Sequence, residues 1–209
     1  ALSRYGEIIK ILKTLYQNRD HDFLASSFSN LGKVLNQLGR YEEALTYRMQ
    51  AVAMQTRLFP KQAHPKLAEM LNGTGESLRS LHKFSEALEY YQQGLAMYET
   101  LYAHQDHSRI AFALNGIGVS LTKTGQAEEG LDYCKRALAM RQRLCQEGGD
   151  HFSLVRYLDD VGAALDQLGR HQEASSYYKK SLEMLKRLYK ATKRSYALTS
   201  SLQEYEQED

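Results

Sequence analysis

The chain has 209 residues, 43% of them hydrophobic and 25% charged, with a formal net charge of +2. That balance describes a soluble globular sequence and gives no help to polyanion binding. The apolar residues are spread too evenly for a membrane-spanning helix, and residues 1–13 lack the layout of a signal peptide. Two prolines, no tryptophan and an abundance of Leu, Ala, Glu, Gln, Lys and Arg favour helix almost everywhere, so the class is all-α.

The first element, within residues 1–18, is a helix with Ile8, Ile11 and Leu15 on its apolar side. These three stand 43 residues before Ala51, Met54 and Leu58, so the chain is expected to open on the second helix of a unit whose first helix is missing, as a piece of a longer protein would. Four full units then follow at 22–63, 65–106, 108–149 and 152–193. Their register is set by Leu31-Gly32, Thr74-Gly75, Ile117-Gly118 and Val161-Gly162, which recur at spacings of 43, 43 and 44.

Around each of these glycines an apolar stripe marks the first helix: Phe28, Leu71, Leu114 and Leu158 stand four residues before, Leu35, Leu78, Leu121 and Leu165 three after. The second helix carries paired small residues, such as Ala44 and Ala51, then Met54 and Leu58 and their counterparts in later units, again at i, i+3, i+4, i+7 spacing. Between the helices Gly39, Gly125 and Gly169 provide left-handed stops, with His82 in their place in the second unit. Residues 195–209 are predicted to form a capping helix and an acidic tail, with Ala197, Leu198, Leu202 and Tyr205 covering the open end. A hairpin with one apolar face cannot bury that face alone, so the whole of 1–209 is expected to stack as a single α-solenoid of antiparallel helix hairpins.

Leu31-Gly32, Leu38-Gly39-Arg40-Tyr41-Glu42-Glu43-Ala44-Leu45 and Ala51 resemble the tetratricopeptide signature, stretched beyond its usual 34-residue period. The long period, with Ala63-His64-Pro65, Met70-Leu71-Asn72 and Lys135–Arg141, is similar to the kinesin light chain branch of that family. The resemblance implies a right-handed superhelix that serves as a protein interaction scaffold in the cytoplasm, without enzymatic activity or cofactor. The paired Asn of the kinesin light chain first helix are absent: the chain reads Ser29-Asn30, Asn72-Gly73, Asn115-Gly116 and Asp159-Asp160.

Residues that suggest other chemistry fall into the same register. His21, His64, His107 and His151 occupy one place in successive units, so they are predicted to cap the first helices rather than share a metal ion. Met54, Met97, Met140 and Met184 read as adaptable core filling. Cys134 and Cys145 lie too far apart along one helix for a disulfide, and neither has a repeated polar partner, which suits a reducing compartment and argues against a catalytic thiol. No triad, Gly-rich phosphate loop or CxxC occurs. The basic stretch from Lys179 to Arg194 is a solvated face, so neither nucleic acid nor membrane is expected as a partner.

The resemblance also implies that first helices line a concave face. The residues expected to form a peptide-binding groove there are Lys33 and Asn36, then Asn72, Glu76 and Arg79, then Phe112, Asn115, Val119 and Lys123, and lastly Arg156 and Asp159. Charges of both signs on this stripe favour an extended or helical protein segment with mixed contacts. Asn72 and Asn115 are suited to reading a peptide backbone. Phe112 either anchors an apolar pocket or packs against the adjacent unit. A carboxylate clamp of Lys and Asn is not reproduced in either register. The alternative is a structural array that self-associates or links domains through its exposed ends.

Overall fold

Among the described residues four hairpins and one leading helix arise where the stop signals place them. The computed structural model describes residues 2–17, 19–60, 62–103, 105–145 and 152–205, with side chains as far as Thr192. Helix α1 spans Leu2–Leu15; α2 (Asp22–Gln37) and α3 (Tyr41–Leu58) make the first hairpin, α4 (Pro65–Ser80) and α5 (Phe84–Tyr102) the second. Helices α6 (Ser108–Lys123) and α7 (Ala127–Leu144) make the third, α8 (Phe152–Gln167) and α9 (His171–Tyr205) the fourth. Residues 195–205 continue α9 instead of starting a capping helix, because no glycine or proline interrupts 171–205.

Each hairpin turn closes in one way. Gly39, Gly125 and Gly169 have φ of 74°, 92° and 73°, and His82 adopts the same conformation at 58°. One residue later an amide donates back across the turn to close the helix end: Arg40 to Leu35, Lys83 to Leu78, Gln126 to Leu121 and Arg170 to Leu165, at 2.9–3.0 Å. At the other end, His21 and His107 act as predicted, their Nδ1 atoms accepting from the amides of Phe23 and Arg109 at 3.2 and 3.1 Å. His64 precedes Pro65 and makes no such bond; His151 lies outside the described residues. The three described rings also stack on the aromatic that ends the preceding unit, Tyr16, Phe59 or Tyr102, with centroids 3.6–4.1 Å apart.

Packing defines two layers. Consecutive first helices touch one another, α2 with α4, α4 with α6 and α6 with α8, while each second helix packs on the next first helix. Among the described residues no Cα of α3 comes within 8 Å of α5, nor of α5 within 8 Å of α7. The first helices therefore form the tight inner layer and line the concave face. The methionines behave as core filling: Met54 is buried and Met97, Met140 and Met184 pack against the core.

The core divides in two between the first and second units. Arg48 and Gln55 are buried at this seam, where the equivalent positions one unit later hold the buried Tyr91 and Tyr98. Polar contacts cross the seam: Ser77 Oγ donates to Asn36 Oδ1 at 3.0 Å, and Asp22, which accepts from Gln55 Nε2 at 3.2 Å within the first unit, pairs with Lys66 of the second.

The closest hairpin is the third. A Cβ built on Gly118 would lie 2.8 Å from the Cys134 amide nitrogen and from the Gly130 carbonyl oxygen, whereas the nearest atoms to one on Gly75 belong to the Tyr91 ring, at 3.1 Å. Backbone cannot step aside as a ring can. Gly118→Ala is expected to cost about 2 kcal/mol or more, and Gly75→Ala less than about 1 kcal/mol because alanine's helix propensity offsets the strain. Urea unfolding of the two variants checks the order, and equal midpoints would refute it.

Candidate interaction groove

On the concave face α2, α4 and α6 run side by side and enclose a groove of about 340 Å³. Four residues expected from the sequence meet there: Lys33 from α2, Asn72 and Glu76 from α4, and Phe112 from α6. Lys33 and Glu76 stand 43 residues apart, so the register puts opposite charges in the same place on neighbouring helices. Glu69 and Arg109 add a surface ion pair at 2.8 Å across the α4–α6 boundary, and the Arg109 guanidinium lies over the Tyr98 ring at 6.0 Å.

The floor comes from the second helices. Arg48 of α3 is only 4% exposed yet reaches the groove. Its side chain passes between two glycines of the first-helix layer: a Cβ on Gly32 would lie 2.6 Å from its Cγ, and one on Gly73 1.7 Å from its Nη1. Beyond them Nη2 donates to Glu76 Oε2 at 3.2 Å, while Nε has no partner. Burial pulls the guanidinium below its ordinary pKa, against the opposing charge of Glu76.

Tyr91 repeats the crossing one unit later. A Cβ on Gly116 would lie 2.5 Å from the Tyr91 ring, which meets Phe112 edge-on at 6.1 Å. Burial pushes the Tyr91 phenol up to about 12, with the adjacent Arg79 guanidinium acting the other way. Phe112 thus packs against the neighbouring unit and lines the groove as well, and the Arg156 guanidinium sits over its ring at 5.4 Å.

In the third unit the crossing residue is the short Cys134, and the position that holds Gly73 and Gly116 earlier holds Asp160. Asn115 Nδ2 donates to Asp160 Oδ2 at 2.6 Å. Burial raises the Asp160 carboxyl above the usual range, while the Asn115 bond and then Arg156 and Arg79 work against the rise. Burial also pushes the Cys134 thiol up to about 12, so it stays protonated and non-nucleophilic at neutral pH.

The remaining expected residues are spread further. Asn36 is half-buried and accepts from Ser77. Arg79, Asn115 and Arg156 gather around Asp160, beside the half-buried Asp159. Val119 is half-buried against the core, and Lys123 is exposed at the end of α6. Asn72 and Asn115 are 4% and 5% exposed, and the Oδ1 atom of each is buried without a partner. Arg48, Tyr98 and Arg109 were not among the expected residues. The signal that locates Arg48 is Gly73, which has no role in the first-helix stripe and is explained only by what passes beside it.

Chemically the groove offers charges of both signs beside one aromatic face. Among the described residues no three His, Cys, Asp or Glu side chains are grouped to hold a metal ion, and no helix is long and apolar enough to cross a membrane.

The tetratricopeptide repeat model matches residues 23–100 and 109–187. The chain belongs to the tetratricopeptide repeat family. Its fold is similar to that of BtubC (BKLC) from P. vanneervenii, at 20% identity over 90% of this chain and 74% of that one, with a TM-score of 0.75. It is also similar to a Podosopora anserina putative kinesin light chain with nearly identical TPR-like repeats, at 16% identity over 90% and 87% of the two chains, with a TM-score of 0.71. A Rap protein complexed with competence and sporulation factor matches at 15% identity over 78% of this tetratricopeptide chain and 43% of its own, with a TM-score of 0.64. No curated protein matches in sequence. These likenesses carry the solenoid fold, and tetratricopeptide arrays of this kind are protein interaction scaffolds.

Glu76→Ala leaves the Arg48 guanidinium buried without its acceptor and is expected to cost about 2 kcal/mol. Adding Arg48→Met removes the stranded charge and is expected to recover most of that loss. A double-mutant cycle by urea unfolding reads the coupling, and additive effects would show that the pair does not interact.

Proposed function

We propose that the concave groove over α2, α4 and α6 holds a segment of a partner protein, extended or helical, and that the chain is a scaffold rather than a catalyst. The observation that carries this reading is the 340 Å³ groove itself, with the half-buried Phe112 at one wall and the Arg48–Glu76 pair in its floor. An apolar anchor beside polar groups of both signs suits a segment with mixed side chains, and a polar rim gives register. Lys33, Asn72 and Glu76 line this groove with Phe112; Arg79, Val119 and Arg156 extend the contact surface toward the fourth unit, Asn36, Lys123 and Asp159 stand at its margins, and the buried Asn115 supports it by holding Asp160. The Rap neighbour, solved as a complex with competence and sporulation factor, lends support by fold alone. A cytoplasmic location follows from the same reading.

The test uses the partner recovered with the full-length protein. Phe112→Ala and Lys33→Glu are each expected to weaken its binding about tenfold or more in calorimetry. Unchanged affinity in both variants would remove the groove from consideration.

A second reading has its own observation. Helix α1 exposes Ile8, Ile11 and Leu15 on one side, and α9 exposes Leu182, Leu185 and Tyr189, so each end of the array presents an apolar stripe. Self-association through these stripes makes the sedimentation coefficient rise with concentration. A constant monomer value across the series would rule it out.

A further inference from the structure

The outer face carries a groove of its own. Because the second helices of adjacent units stay apart, channels open between α3 and α5 and between α1 and α3, each floored by the first helix beneath. Between α3 and α5 it reaches about 460 Å³, with Leu67 and Leu71 of α4 as floor and Val52, Phe59 and Met97 as walls. The equivalent channel between α1 and α3 holds about 310 Å³.

Comparison of the units shows what differs. At the α1–α3 channel the four rim positions are Lys13, Asp20, Gln50 and Arg57, and Asp20 and Arg57 form a two-pronged bridge: Arg57 Nη2 donates to Asp20 Oδ1 at 2.7 Å and Nε to Oδ2 at 2.5 Å. One unit beyond the second, the same positions are Glu99, Asp106, Arg136 and Arg143, and Arg143 bridges Asp106 through Oδ1 at 2.9 Å in the same way. In the second unit these positions are Thr56, Ala63, Gln93 and Thr100. All four are uncharged, and the bridge is replaced by an alanine and a threonine.

We propose that the α3–α5 channel is a second interaction surface, which receives an amphipathic helix of a partner protein whose inserted face is apolar and free of charge. The rim decides the chemistry. A charged residue pushed between Phe59, Met97 and Leu71 finds no counter-ion at Thr56, Ala63, Gln93 or Thr100, so its desolvation goes uncompensated. The walls decide the conformation. An extended strand would turn backbone N–H and C=O groups toward apolar side chains, whereas a helix satisfies its own. The wall positions Val52, Thr56 and Phe59 follow i, i+4, i+7 spacing, as do Gln93, Met97 and Thr100, so the channel is two helical turns, about 10 Å, in length. It matches a partner helix with Leu, Met or Phe at i, i+3 or i+4, and i+7.

Neighbouring units provide the means of charging and narrowing its rim. The double variant Ala63→Asp/Thr100→Arg installs the bridge that the first and third units already carry, so it is compatible with the fold; Ala96→Arg, at an exposed position on the α5 wall, is an independent block. The probe is a displayed library of 18-residue amphipathic helices with all residues allowed on one face, selected on the wild-type protein and measured by fluorescence anisotropy. The expected result is peptides with an uncharged apolar face whose affinity falls tenfold or more in the double variant and in Ala96→Arg but is unchanged in Phe112→Ala. The proposal is overturned if no helix is selected, if the selected faces carry charges, or if only Phe112→Ala weakens binding, which would place the peptides in the concave groove.

Discussion

The close approach of first and second helices at Gly32, Gly75, Gly118 and Gly162 is the contact from which the rest of the molecule follows. Without a Cβ there, the second helix of each hairpin lies near enough for one of its side chains to pass beneath the first helix toward the concave face. Arg48 and Tyr91 use the passage fully, and each needs a second glycine, Gly73 or Gly116, in the next unit to make room. Cys134 is too short to need it, and the space goes to the Asp160 carboxylate, which then takes the Asn115 amide. A packing device thus also sets the chemistry of the groove, one unit at a time.

The same contact explains the shape of the array. First helices crowd into one layer, and second helices, each tied to the next first helix and not to one another, are left apart on the outside. The inner layer gains a continuous floor with polar groups of both signs. The outer layer gains channels, and a salt bridge stands on the rim between α1 and α3, as at the same positions in the third unit, but not between α3 and α5. Two faces with different chemistry follow from one repeat, because its register fixes geometry while individual positions remain free to vary.

Most of the fold was legible in the sequence because it rests on local signals. The 43-residue register, the glycines at 39, 125 and 169, and His82 standing in for the fourth are all found where the chain turns. The histidines were readable as caps for the same reason, since Asp or Pro beside them marks a helix start, although His64 leaves its cap bond unmade. The continuous α9 was readable too, from the lack of any glycine or proline after His171, but the solenoid pattern suggested a separate cap. The groove was legible only in part. Lys33, Asn72, Glu76 and Phe112 lie on first helices and fall together by period, whereas Arg48 and Tyr98 arrive from second helices through gaps that no single-helix stripe reveals. The burial of Asn72 and Asn115 depended on Gly94 and Asp160, residues on other helices.

The most direct measurement is backbone amide shift mapping of the isotope-labelled chain as its partner is added. The concave reading places the largest changes at Gly73, against which the Arg48 guanidinium packs, and at the residues flanking Phe112 on α6. Changes confined to α1 and α9, with Gly73 unmoved at saturation, would contradict it.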